Sequence, residues 1–214
     1  MSWSDNSLSS IKCLKGERIA REFFRRDPPQ VARELLGYYL AVKKGRRMIV
    51  GKIVETEAYA DGDDDASHAT RFGKTKRTSP LFGKVGFSYV YSVYINSYCL
   101  NVVAHRKGRA GAVLIRALEP LYGVDFILEN LRRPKDYDRR RLLNGPAKLC
   151  KGLGIDKNLN QEDMVDGKRL FILKGEKVSS RKIGTTARIN IPYAERAKDW
   201  LWRFIIKDSI YLSR

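Results

Sequence analysis

The sequence predicts a single α+β domain built on a curved antiparallel β-sheet, with surrounding helices and a protruding β-hairpin. Three observations predict it. β-rich runs follow one another at hairpin spacing, as in residues 38–42 with 48–59 and 86–94 with 98–104. Helical segments are few and do not alternate with the strands, which argues against a parallel α/β sheet. No Pro-, Gly- or Ser-rich linker divides the chain, so residues 17–214 read as one folded unit and residues 1–16, polar and serine-rich, as a flexible N-terminal segment.

In chain order, Asp27 before Pro28 and Pro29 marks a helix start, and Gly37 marks its stop. Residues 38–42 read as a strand, Lys43 to Arg46 as a basic turn and residues 48–59 as the returning strand. An acidic run, 61–65, leads into residues 68–80, a loop rich in Lys, Arg, Thr and Gly. The two strands 86–94 and 98–104 form the hairpin, and residues 111–118 form an apolar strand that contains Arg116. Leu121, Val124, Ile127, Leu128 and Leu131 recur with helical period, which predicts an amphipathic helix over 120–132. Residues 134–141 follow as a basic loop. A short helix over 146–154 opens on Pro146, closes on Gly154 and carries Lys148 and Lys151. Residues 158–163 read as a turn or short helix and 169–173 as a strand. Residues 182–191 read as a strand pair or as one strand made irregular by Gly184, and 199–206 as the last strand.

Composition narrows the partners. The 42 Lys and Arg against 24 Asp and Glu leave a formal charge of +18, the footprint of a protein that meets nucleic acid or another polyanion. No apolar run approaches the ~20 residues that span a bilayer, and the N-terminus has no apolar core of signal-peptide type. A reducing compartment is expected: cytoplasm and nucleoid in a prokaryote, nucleus in a eukaryote. Cys13, Cys99 and Cys150 are odd in number, lack a CxxC pair and read as reduced structural thiols. With His68 and His105 far apart and no ligand spacing around them, neither a metal nor a cofactor is expected.

Two regions carry chemistry. Strand alternation over 53–59 puts Glu55, Glu57 and Tyr59 on one face and Val54, Thr56 and Ala58 on the other. Two acids beside a ring describe a site, and on this stretch alone they equally describe a solvated edge face. Arg116, inside an apolar strand, calls for an anion, either Glu57 or Glu55, unless it faces solvent from an edge. The hairpin places Tyr89, Tyr91 and Val93 on one face and lifts Tyr94 and Ile95 to its tip. A ring and a branched apolar side chain at the tip of a basic protein suit a wedge between stacked bases, although exposed rings also mark protein interfaces. In the 68–80 loop, Thr75 and Arg77 supply the hydroxyl and cation that hold phosphates without reading bases; a solvated surface loop has the same composition. The lysines of the 146–154 helix flank an N-terminus that can hold a phosphate, although lysines on a short helix are more often just solvated.

Taken together, the ordered motifs Val54-Glu55-Thr56-Glu57-Ala58-Tyr59, His68, Tyr89-Val90-Tyr91, Tyr94, Cys99-Leu100-Asn101, Leu114 to Pro120, Gly145 to Cys150 and Ala187 to Ile191 resemble the alkyladenine (3-methyladenine) DNA glycosylase family. The match runs from about Arg21 to the C-terminus. The resemblance implies a monomeric base-excision repair enzyme that flips a damaged purine from double-stranded DNA and hydrolyses its N-glycosidic bond, without strand cleavage. It also implies roles. Glu57 would be the general base that activates water, with Arg116 orienting both. Tyr59 and Tyr91 would sandwich the base with help from His68, Asn101 would reject the amine of guanine, and Tyr94 would fill the gap in the helix. The tip here reads Tyr94-Ile95-Asn96 where family members commonly carry Tyr-Gly-Met, and the loop reads Thr75-Lys76-Arg77-Thr78 where Arg-Asn often follows the threonine. The competing reading is a non-catalytic lesion- or nucleic-acid-binding protein on the same scaffold; a structural DNA-coating protein has no use for the acids.

Overall fold

Residues Arg47–Ala60 form the longest strand, β2, and the sheet is arranged around it. The structure is a computed structural model and describes residues 17–213, so the reading of 1–16 as a flexible segment lies outside the described residues. On one edge β2 pairs along its length with β5 (Gly111–Tyr122). Its other edge is shared by β1 (Tyr39–Lys44) over the first half and β8 (Arg203–Ile206) over Glu55–Glu57. The hairpin of β3 (Ser88–Tyr94) and β4 (Ser97–Val103) joins through β5, β6 (Leu170–Leu173) closes the β1 edge, and β7 (Ile183–Thr186) pairs with β8. Every strand pairing among the described residues is antiparallel, as the α+β reading requires.

Alternation divides the sheet cleanly. Ala58 of β2, Val90 of β3, Leu100 and Val102 of β4, and Val113 and Ile115 of β5 point into one large core. Three helices cover that face: α1 (Pro28–Glu34), α3 (Val124–Leu131) and α4 (Pro146–Leu153), contributing Val31, Ile127 and Leu149 among others. α2 (His68–Phe72) lies apart from them, at the end of β2. No helix among the described residues is long and apolar enough to cross a membrane.

The helix predicted over 120–132 is shorter and starts later. Pro120 to Tyr122 continue β5, because β4 pairs with β5 only as far as Leu114 and Pro120 lies where the strand keeps a single partner. Gly123, at φ 72, makes the corner; a side chain there would run into the Met48 carbonyl. The basic turn is also tighter than expected. Lys43 and Lys44 stay in β1, and Gly45 at φ 61 turns the chain with Arg46. The loop predicted over 68–80 begins as helix α2, which Ser67 caps by accepting the Ala69 N–H at 3.2 Å. Asp27 holds the N-cap backbone position of α1, but its carboxylate binds Arg106 rather than the helix. The last strand starts only at Arg203, since 199–202 form a turn with Trp202 N–H on the Trp200 carbonyl.

Candidate active site

Near its centre, β2 is irregular where the acids lie. Between Ile53 and Glu55 the partner on β5 advances only from Leu118 to Ala117, so Val54 is an extra residue; between Glu55 and Thr56 it jumps to Ile115, so Arg116 is extra on the other strand. Paired bulges of this kind bend the strands and re-aim side chains. Here they bring Glu55, Glu57 and Arg116 together on the face away from the core.

Both carboxylates are fully buried and Arg116 is 5% exposed, which removes the solvated-edge reading for all three. Buried charges persist only when paired and hydrogen-bonded. Glu57 Oε2 accepts from the Tyr59 hydroxyl at 2.8 Å and from Arg116 Nη1 at 3.1 Å, while Oε1 accepts the Ile189 N–H at 2.7 Å. Glu55 Oε1 accepts from Arg116 Nε and Arg203 Nε, each at 2.8 Å, and from the Ser213 hydroxyl at 2.6 Å; its Oε2 takes the Ser213 N–H at 2.6 Å. Burial pushes the Glu55 carboxyl up, but the donors from Arg203 and Ser213 outweigh it and hold it below the ordinary value. Burial, reinforced by the neighbouring Glu57 carboxylate, pushes the Tyr59 hydroxyl well above its usual range, so it stays a donor.

A cavity of about 510 Å³ opens over this cluster, within the roughly 300–1,000 Å³ typical of small-molecule sites. Glu57 lies behind it, while its three donors, Tyr59, Arg116 and Ile189, line it. Tyr59 stands on β2 and Tyr91 on β3, with β5 and β4 between them. Both rings line the same cavity. The floor between them is Ala112, Leu114, Cys99 and Asn101. Asn101 is buried and its Nδ2 donates to the Tyr89 carbonyl at 3.1 Å, which fixes the amide.

The Tyr91 wall is a cluster of rings. His68 meets Tyr91 edge-on at 4.7 Å and Tyr89 lies 5.3 Å from Tyr91. Burial, with Arg77 and Arg71 nearby, lowers the His68 pKa to about 4, so the ring is neutral at physiological pH. Its Nδ1 lies 3.1 Å from the Tyr89 hydroxyl, within hydrogen-bonding distance.

Thr75 and Arg77 lie beside this wall with their groups already engaged. Thr75 Oγ1 bonds Thr78 Oγ1 at 2.9 Å, and Arg77 packs 5.5 Å from the Tyr91 ring. At the hairpin tip Tyr94 is 80% and Ile95 93% exposed, with Asn96 in the left-handed region at φ 57.

Several site residues carry no role in the sequence reading. Arg188 sits on the segment after β7, fully buried with Asp64: Nη2 to Oδ1 at 2.7 Å and Nη1 to Oδ2 at 2.8 Å. Its guanidinium lies 4.8 Å from the Tyr59 ring, and the next residue, Ile189, holds Glu57. The acidic run therefore fastens this segment down. Asp65 accepts three backbone N–H groups, and those of Arg196, Glu195 and Ala197 hold its carboxyl at about 2. Tyr193 and the turn Gly145-Pro146 complete the cavity rim. An arginine flanked by Ala187 and Ile189 was the available signal; its partner lies 124 residues away. Among the described residues, no group of His, Cys, Asp or Glu is arranged to hold a metal ion.

Comparison with known proteins converges on one family. The family model for methylpurine-DNA glycosylase (MPG) matches residues 22–210. A relative from Carboxydothermus hydrogenoformans, provisionally named a 3-methyladenine DNA glycosylase, is 48% identical over 196 residues, covering 92% of this chain and 98% of its own. A Clostridium botulinum relative with the same provisional name is 41% identical over 202 residues at the same coverage. Matches of this extent place the chain in the methylpurine-DNA glycosylase family.

Proposed function

We propose that this protein is a monofunctional DNA glycosylase that removes alkylated or deaminated purines, of the 3-methyladenine, 7-methylguanine, hypoxanthine and ethenoadenine class, from duplex DNA. The single observation that carries the reading is the buried Glu57 carboxylate, aimed by Arg116, Tyr59 and Ile189 from behind a cavity walled by aromatic rings. Glu57 has three donors, and Oε1 takes one of them, so one lone pair of Oε1 is left for a water.

In the reaction the water oxygen bonds to the sugar C1′ and gives its proton to Glu57, while the C1′–N bond breaks and its electron pair leaves with the base. Arg116 keeps the carboxylate charged and in place. A cationic alkylated purine leaves without added protons and is attracted to the faces of Tyr59 and Tyr91. Stacking is worth ~1–3 kcal/mol per ring, which offsets part of the stacking lost on flipping. His68 contacts the base and favours particular purines, Asn101 crowds the exocyclic amine of guanine, and Tyr94 with Ile95 wedges into the duplex. Thr75 and Arg77 steady the nearby phosphates. The excess charge of +18 draws the protein to DNA, and the bacterial relatives favour a cytoplasmic enzyme acting on the nucleoid.

The test is release of free base from duplexes with one defined lesion. The native chain should leave alkali-labile but unbroken strands. Tight lesion binding with no release from any of these purines would instead establish a lesion-binding protein.

A further inference from the structure

Glu55 is as deeply buried as Glu57, yet neither it nor any of its donors except Arg116 lines the cavity, and the mechanism gives it no step. Its surroundings are the more elaborate of the two. It takes four hydrogen bonds, two from arginines and two from Ser213, near the end of the chain. Ser213 closes the circuit, since its hydroxyl also accepts from Arg116 Nη2 at 3.2 Å. All three guanidinium nitrogens of Arg116 are therefore assigned: Nε to Glu55, Nη1 to Glu57 and Nη2 to Ser213. The bond to Glu55, at 2.8 Å, is shorter than the 3.1 Å bond to Glu57.

We infer that Glu55 and Ser213 are positioning residues for catalysis: they hold Arg116 by its Nε edge, and Glu55 shares its charge, so that Nη1 aims Glu57 without quenching it as a base. The inference rests on the reading of Glu57 as the base. The physical reason is charge division. A carboxylate that is the sole partner of a buried guanidinium is stabilised as an anion and gives up basicity; one that shares the guanidinium with a second carboxylate is stabilised less. With Glu55, Glu57, Arg116 and Arg203 all charged, the cluster sums to zero. The other charged or titratable groups near Glu57 are Tyr59 on the same strand, Cys99 on β4 and Arg188 on the segment after β7, and none of them divides the charge of Arg116 as Glu55 does.

The C-terminal residues thereby become part of the active-site machinery although they touch no substrate. Ser213→Ala removes both hydroxyl contacts and keeps the backbone N–H, so the fold is maintained and Arg116 loses one of three anchors. Glu55→Gln removes the competing charge.

The test is single-turnover release of 7-methylguanine from a duplex across pH, with duplex affinity and thermal melting measured on the same samples. For Ser213→Ala the expected result is a chemical step slowed about fivefold, the scale of one ordinary hydrogen bond, at unchanged affinity. For Glu55→Gln the plateau rate should fall at least about tenfold, because Arg116 would lose the charged partner on its Nε edge. A folded Ser213→Ala that keeps the native rate and pH profile overturns the inference, whether or not Glu55→Gln folds. Loss of melting temperature with the rate of the folded fraction unchanged also overturns it, since that marks a purely structural role. If the native chain releases no base, the glycosylase reading fails as well; an active native chain with unaffected variants removes this inference alone.

Discussion

The floor of the cavity and the tip of the hairpin follow opposite rules. Beneath the floor, Glu55, Glu57 and Arg116 are buried and paired with one another. At the tip, Tyr94 and Ile95 are 80% and 93% exposed, apolar surface with nothing over it. Burying charge costs several kcal/mol per ion unless geometry repays it, so the floor is rigid by necessity. An exposed wedge costs little and is covered only when it enters a duplex. On the proposed reading, the groups that do the chemistry are held by buried partners, whereas those that enter the duplex stand exposed.

Variants can break this contrast. Glu57→Gln should have the largest effect, lowering base release by about 10²–10⁴-fold while duplex affinity holds; rapid-quench kinetics with anisotropy titration would show whether the two separate. Asp64→Ala strands Arg188 as a buried cation and should cost about 3–5 kcal/mol, read from denaturant unfolding. A loss under 1 kcal/mol would mean that the 187–191 segment is not held by this pair. Tyr91→Ala should weaken capture of the lesion by ~1–3 kcal/mol without altering melting to the same degree. Replacing Tyr94 and Ile95 together by alanine should reduce lesion capture by about tenfold or less and leave melting unchanged, the mark of a part that serves only when bound. Loss of fold in that double variant would contradict the contrast outright.

A further effect is in pH. The folded His68 titrates near 4 against an ordinary 6.5, so the unfolded chain binds the proton first. Its contribution to stability is therefore full above 6.5 and falls away as pH drops towards 4. NMR titration of the His68 ring should give a midpoint near 4, and His68→Gln should flatten the stability profile in that window. A midpoint near 6.5 would mean that the ring wall is open to water.

The sequence carried much of this because its strongest patterns are local. Period-two alternation put Glu55, Glu57 and Tyr59 on one face, and hairpin spacing raised Tyr94 and Ile95 to a tip, as the structure has them. Arg116 was expected to bind Glu55 or Glu57 and binds both, a sharing that depends on matched bulges in β2 and β5 with no local signature. Long-range pairs left no trace. Asp64 read only as one member of an acidic run, yet it is buried against Arg188, and Ser213 reaches Glu55 across 158 positions. The helix predicted from residue 120 failed for a different reason: Leu121 kept helical period with the residues after it while still belonging to β5.

The central claim is that Glu57 does the chemistry in a site that captures the flipped base independently of it. Ethenoadenine is fluorescent, and its emission changes when it leaves the stack, so one duplex carrying it reports flipping and, after separation of products, release. The account predicts that Glu57→Gln gives the native fluorescence change on binding and no free ethenoadenine. Free ethenoadenine at the native rate from the Glu57→Gln protein, or a variant that binds the duplex but leaves the base stacked, would contradict it.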